Sequence, residues 1–319
     1  MIDPLRQEIL KQAPTVVVKV GTNVLTAKDG RLEPSRIQAL ADQIQRLRRS
    51  GRQIALVSSG AIGAGVGRLE LGKRPADLRH LQACAAVGQS FLMRAYQESF
   101  DRHGIHTAQI LLTASDFDHR TRYLNARNTI LTLFELEVLP IINENDTVSI
   151  AEIKFGDNDH LAAMVTNLLQ APLLILLTNV DGLFTGDPGV DPNAEKITTV
   201  SNIDASVTDL AGATKSPLGT GGMRSKLRAA RLATAAGETV IMANGSVPGI
   251  LDAIFAGEPV GTLFLPHREE SLPAWKRWLG LTARPKGKLL INDGARSAVR
   301  EKGKSLLPVG VVEVQGTFH

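Results

Sequence analysis

Short apolar runs alternate with longer amphipathic stretches along most of the chain. The runs fall at residues 15–20, 53–57, 108–112, 138–142, 173–177 and 239–243 and are rich in Val, Ile and Leu. Continuous apolar runs of this length suit strands buried on both faces. Between the first two, Ile37, Leu40, Ile44 and Leu47 recur at helical spacing within residues 35–49, and Gly51 follows as a stop signal. Residues 78–100, 125–136, 159–169 and 222–236 also predict helices. Strand alternating with helix predicts an α/β protein whose mainly parallel sheet carries helices on both sides. After Gly261 the pattern breaks at Pro266, Pro273 and Pro285, within a charge-rich stretch. Beyond it, short strands at 288–291 and 310–314 flank a small helix at 295–301. This predicts a large unit over residues 1–262, a linker over 263–274 and a small partial β-rich segment over 275–319.

Composition narrows the class. At 319 residues the chain is near the size at which a single core stops growing. Its 43% hydrophobic and 21% charged residues exclude disorder and a collagen-like chain. A single cysteine, Cys84, excludes an intrachain disulfide and agrees with a reducing, cytoplasmic setting. No apolar run approaches the ~20 residues of a membrane span, and residues 1–14 lack the apolar core of a signal peptide. The formal net charge of +4 is uneven. Residues 267–319 hold ten Lys or Arg against five Asp or Glu, whereas the remainder is close to neutral. The basic tail is either a solvated surface or a nucleic-acid patch.

Ligands of open parallel sheets bind beyond the carboxyl ends of the strands, so the segments after each run carry the candidate chemistry. They are Lys19–Asn23, Ser58–Gly65, Asn143–Asp146, Lys154–Asp159, Thr178–Gly182 and Gly219–Lys226. Three glycines before a helix, at Gly219, Gly221 and Gly222, free backbone N–H groups for phosphate oxygens, and Lys226 reaches back as a point charge. Neither a Walker A loop nor a G-x-G-x-x-G fingerprint is present. Lys19 interrupts an apolar strand, where a buried amine needs an anion. Asp157 and Asp159 flank Asn158 at a helix entry. They either help to hold Mg²⁺ or orient lysines, or Asp159 simply caps the helix. Two amides and two acids in Asn143–Asp146 suit a zwitterion. Hydrolase, zinc and redox motifs are absent from the sequence, and the seven histidines are scattered.

Taken together, Val18–Thr26, Val57–Gly65, Leu111–Thr113, Ile142–Asp146, Ala151–Asp159 and Gly219–Lys226 resemble the amino-acid kinase family, and within it the glutamate 5-kinase (γ-glutamyl kinase) branch. The resemblance implies a three-layer α/β/α sandwich around a largely parallel sheet of about eight strands. It implies ATP binding at Lys19, Gly21, Thr178, Asn179 and the loop Thr220, Gly221, Gly222, Met223, Arg224, Ser225 and Lys226. Glutamate binding is implied at Ser59, Gly60, Asn143, Asp146 and Asn158. By the same resemblance Asp157 organises Lys19 and Lys226, and Lys154 lies near the transferring phosphoryl group. Asn179 stands where the family usually has Asp. The tail from about Trp275 resembles the first half of a PUA domain. The resemblance further implies L-glutamate as substrate, Mg²⁺ with the nucleotide, proline as feedback inhibitor and a tetrameric homo-oligomer. Its product would be handed to a glutamyl phosphate reductase in proline biosynthesis, and neither a membrane nor RNA is an expected partner.

A carboxylate nucleophile is ionised at neutral pH, its ordinary value being about 4.3, so no general base is needed. The demand is for positive charge that lets an anion meet the γ-phosphate, and Lys19, Lys226 and Lys154 are the candidates. Asp146 would pair with the substrate ammonium, while Asn158 and the backbone near Ser59 would hold the α-carboxylate.

Overall fold

A computed structural model describes residues 2–27, 31–149, 158–211, 222–267 and 287–316. The chain divides into two compact units, Met1–Leu281 and Thr282–His319.

In the first unit, helix α1 (Pro4–Lys11) precedes β1 (Thr15–Val20), the short α2 (Thr22–Leu25) and α3 (Pro34–Arg49). Then come β2 (Gln53–Ser58), α4 (Ala61–Arg68), α5 (Leu78–Asp101), β3 (Thr107–Leu112), α6 (Ala114–Asp118), α7 (Arg120–Glu135) and β4 (Leu139–Glu144). The second half runs α8 (Asn158–Leu169), β5 (Leu173–Thr178), β6 (Leu183–Phe184), β7 (Lys196–Ile197), β8 (Thr199–Val200), α9 (Ala205–Asp209), α10 (Met223–Ala236), β9 (Thr239–Asn244), α11 (Ile250–Phe255) and β10 (Thr262–Phe264). Eight of these strands form one sheet in the order β3-β4-β2-β1-β5-β9-β10-β8. Its pairings are parallel except β9 with β10.

Apolar side chains leave both faces of the sheet. Along β1, Val16, Val18 and Val20 join one core with α3, α5 and α11, while Val17 joins another with α7, α8 and α10. The central strands are therefore covered on both sides, which is why they read as unbroken apolar runs. Two-residue alternation puts Lys19 on the Val17 face, toward α8 and α10.

Several elements differ from the sequence pattern. Helix α7 starts five residues before residue 125, and α4 forms in a glycine-rich stretch that reads as a loop. The reason for α4 is tertiary. A Cβ on Gly65 would lie 1.9 Å from the Cys84 carbonyl oxygen, and one on Gly88 would lie 1.8 Å from that of Ala61. Helices α4 and α5 thus meet backbone to backbone, and packing overrides the low helix propensity of glycine.

The second unit contains β11 (Gly287–Ile291), α12 (Asp293–Arg300) and β12 (Val311–Gly316), with β11 and β12 paired antiparallel. Asn292 caps α12 by accepting from the Ala295 N–H at 2.9 Å. Trp275 lies outside the described residues.

Candidate active site

Three charged side chains from remote parts of the chain meet at the carboxyl edge of the sheet. Lys19 comes from β1, Asp159 from the first turn of α8, and Lys226 from the first turns of α10. The Asp159 carboxylate lies between the two ammonium groups, with Oδ1 2.5 Å from Lys19 Nζ and Oδ2 3.0 Å from Lys226 Nζ. Asp159 is 1% exposed, Lys19 5% and Lys226 7%. Burial would push the Asp159 carboxyl upward, but the charges of Lys19 and Lys226 and their hydrogen bonds outweigh it and hold the group below the ordinary carboxylate range. Ser225 Oγ donates to Gly222 O at 2.8 Å and approaches Asp159 Oδ2 at 3.4 Å, fixing the first turn of α10 beside the carboxylate.

The resemblance assigns this organising role to Asp157, while the residue pattern leaves Asp159 either orienting lysines or capping the helix. The carboxylate between the two lysines belongs to Asp159, and Asp157 lies outside the described residues. Lys154, Thr220 and Gly221 also lie outside them. Gly21 follows Lys19 closely; its N–H donates to Leu177 O at 3.1 Å, joining the ends of β1 and β5. Thr178 ends β5 and is buried, its Oγ1 3.3 Å from Asn179 Oδ1, and Asn179 is exposed. Gly222 precedes α10, Met223 packs against the core, and Arg224 is exposed.

A second cluster lies at the ends of β2 and β4, one and two strands from β1. Neighbouring strands are about 4.8 Å apart, so the β4 end of this cluster is roughly 10 Å from β1 across the sheet. Asn158 Nδ2 donates to Ser58 O at 2.9 Å and Asn143 Oδ1 at 2.8 Å, and reaches Ser59 Oγ at 3.1 Å. The Glu144 N–H donates to the same Asn143 Oδ1 at 2.9 Å, and Asn143 Nδ2 donates to Gln89 Oε1 at 2.8 Å. Each amide therefore has one allowed orientation, because Ser58 O only accepts and the Glu144 N–H only donates. Asn158 has spent its N–H groups, which leaves its Oδ1 as an acceptor. That chemistry suits an ammonium and not the α-carboxylate expected at this residue.

Below these amides, Ser58 Oγ and Tyr96 OH lie 2.8 Å apart in the interior. Burial, partly offset by the Ser58 hydrogen bond, keeps the Tyr96 phenol far above its ordinary value and neutral. Gly60 turns the chain from β2 into α4 at φ +109°, which a residue with a Cβ rarely adopts. No side chain caps α4, so its first N–H groups open beside Ser59. Asp146 sits in the turn after β4 and is partly buried. Gln89 and Tyr96 carry no sequence signal of their own, since each gains its place only when α5 packs against β4 and β2.

Residues 14–244 match the amino acid kinase family, and residues 287–319 match the PUA domain. Over 314 residues the chain is 49% identical to a glutamate 5-kinase of Geobacter metallireducens, covering 98% of this chain and 84% of that protein. A glutamate 5-kinase of Geobacter sulfurreducens is 48% identical over the same shares of the two chains. Among solved structures, the carbamate kinase from Giardia lamblia bound to AMP-PNP covers 79% of this chain and 98% of its own, with a TM-score of 0.59 at 19% identity. At that identity the likeness is one of fold.

Proposed function

This chain belongs to the amino acid kinase family, and from that premise we propose that it transfers the γ-phosphoryl group of ATP to the side-chain carboxylate of L-glutamate, giving L-glutamyl 5-phosphate. The observation that carries the reading is the pairing of two sites: the Lys19–Asp159–Lys226 group and, across the sheet toward β4, an amide cluster. One end supplies positive charge for two anions; the other offers hydrogen bonds to a zwitterion. An amino acid with a carboxylate at the far end of its side chain spans them. The 49% identity to a glutamate 5-kinase supports the choice of glutamate.

In this mechanism Lys19 and Lys226 draw the phosphates and the attacking carboxylate together, and Asp159 keeps the two ammonium groups from repelling each other apart. Lys154 assists at the transferred group and Asp157 assists the lysines. Gly21, Thr178, Asn179 and the loop from Thr220 to Lys226 line the nucleotide site. The substrate ammonium pairs with Asp146 and Asn158 Oδ1, beside Asn143, while the N–H groups following Ser59 and Gly60 take the α-carboxylate. The described residues do not build a resident Mg²⁺ site, because the one buried carboxylate at the lysines is already paired with both. Mg²⁺ would enter with the nucleotide, held by phosphate oxygens and water.

Proline carries the same ammonium and carboxylate as the glutamate head group, which supports feedback inhibition by competition for the amide cluster. A cytoplasmic homotetramer that delivers its product to a glutamyl phosphate reductase completes the proposal. Coupled detection of ADP across L-glutamate, L-aspartate, N-acetyl-L-glutamate, carbamate and UMP, with and without proline, tests it. Turnover with L-glutamate, suppressed by proline, is expected; preference for another acceptor overturns the reading.

A further inference from the structure

Gln89 lies in the middle of α5 and belongs to none of the sites inferred from the sequence. Its amide ends differ in their surroundings. Oε1 accepts from Asn143 Nδ2 at 2.8 Å, whereas Nε2 is buried with no hydrogen-bond partner among the described residues. A buried donor without an acceptor is destabilising, and methionine or leucine at this position would avoid it. The reason for an amide here therefore lies at its Oε1 end.

Its bonded neighbour suggests the account. Asn143 is 2% exposed and has a single acceptor for its Nδ2, which is Gln89 Oε1. The other end of Asn143 receives the Glu144 N–H and Asn158 Nδ2. Without Gln89, Asn143 Nδ2 would be a buried donor with nothing to bond, and the side chain would have to turn to find an acceptor. Turning would withdraw Oδ1 from Asn158 Nδ2, which would keep Ser58 O and Ser59 Oγ as acceptors but lose the contact that holds the side chain from the β4 end.

We infer that Gln89 is a positioning residue for the substrate head group: through Asn143, and together with Ser58 O, it holds Asn158 in place with Oδ1 as the unengaged acceptor, and so favours a free α-ammonium over an acylated amine. The inference rests on the proposed glutamate reaction and deepens it. Gln89 acts through two intermediaries, so it governs recognition of the amino acid and not the transfer step.

The test compares Gln89→Met, which keeps length and removes the acceptor, with Gln89→Glu, which retains an oxygen facing Asn143. Steady-state constants for L-glutamate, N-acetyl-L-glutamate and ATP are measured with thermal melts on the full chain. Gln89→Met is expected to raise the L-glutamate KM by roughly 10- to 100-fold, the range for losing a hydrogen bond to a charged group. The ATP KM and kcat stay within about threefold of wild type, and the preference for L-glutamate over N-acetyl-L-glutamate narrows. Gln89→Glu restores the L-glutamate KM to within about threefold. An unchanged L-glutamate KM in a folded Gln89→Met protein overturns the inference, as does an equal rise in both KM values or a failure of Gln89→Glu to rescue. A wild-type enzyme that ignores L-glutamate overturns the proposed reaction first, and the role of Gln89 with it.

Discussion

Replacing Asp159 by asparagine removes the negative charge from between Lys19 and Lys226 while keeping the side-chain shape. At an effective dielectric of about 20, unit charges about 3 Å apart interact by roughly 5 kcal/mol, so the two contacts oppose a large desolvation cost for three buried groups. Removing the shared charge leaves two buried ammonium groups facing an amide, whose oxygen replaces one carboxylate oxygen and whose NH2 can accept from neither. The expected loss is about 3–5 kcal/mol, the range for breaking a buried ion pair from one side. At about 2–4 °C per kcal/mol, the melting temperature should fall by roughly 10 °C. A non-hydrolysable ATP analogue returns negative charge to the lysines, so it should raise the melting temperature more in Asp159→Asn than in wild type. The kcat should drop by at least about 10², as for loss of a charge-stabilising group. The pH dependence has a definite sign. Because the folded-state carboxyl titrates below its ordinary value of about 3.9, its stabilisation is full above that value and disappears as pH falls through the depressed one. The gap between wild type and variant should therefore close in acid. A variant with wild-type melting temperature and wild-type turnover at neutral pH would refute the reasoning.

Three further outcomes are expected. Lys226→Ala should lower kcat by about 10²–10³ in a coupled ADP assay while changing the L-glutamate KM far less; undiminished turnover removes Lys226 from the transfer step. Asp146→Asn should raise the L-glutamate KM at least about tenfold and leave the ATP KM alone, and parallel weakening of both would place Asp146 outside the head-group site. Gly88→Ala should lower stability by about 1–3 kcal/mol in denaturant titrations, because the new methyl meets the Ala61 carbonyl; an unchanged midpoint would contradict the close helix contact.

Much of the sheet was legible in the sequence because its central strands are covered on both faces and leave unbroken apolar runs. Lys19 was legible for the same reason: a cation amid Val16, Val17, Val18 and Val20 has few explanations. Asp159 was ambiguous, since Asp157 has the same chemistry two residues away and only the packing of α8 against α10 decides which carboxylate meets both lysines. Helix α4 was hidden because its glycines serve α5, a partner that local propensity does not register. Gln89 looked like an ordinary helix residue, because its meaning depends on an asparagine 54 positions later in the chain.

The glycine-mediated seam between α4 and α5 has an evolutionary consequence. Where two main chains touch, there is no side chain left to trim, so the spacing of these two helices cannot be relaxed by stepwise truncation. Any change there has to move a whole helix, which ties the start of α4 beside Ser59 to the placement of α5.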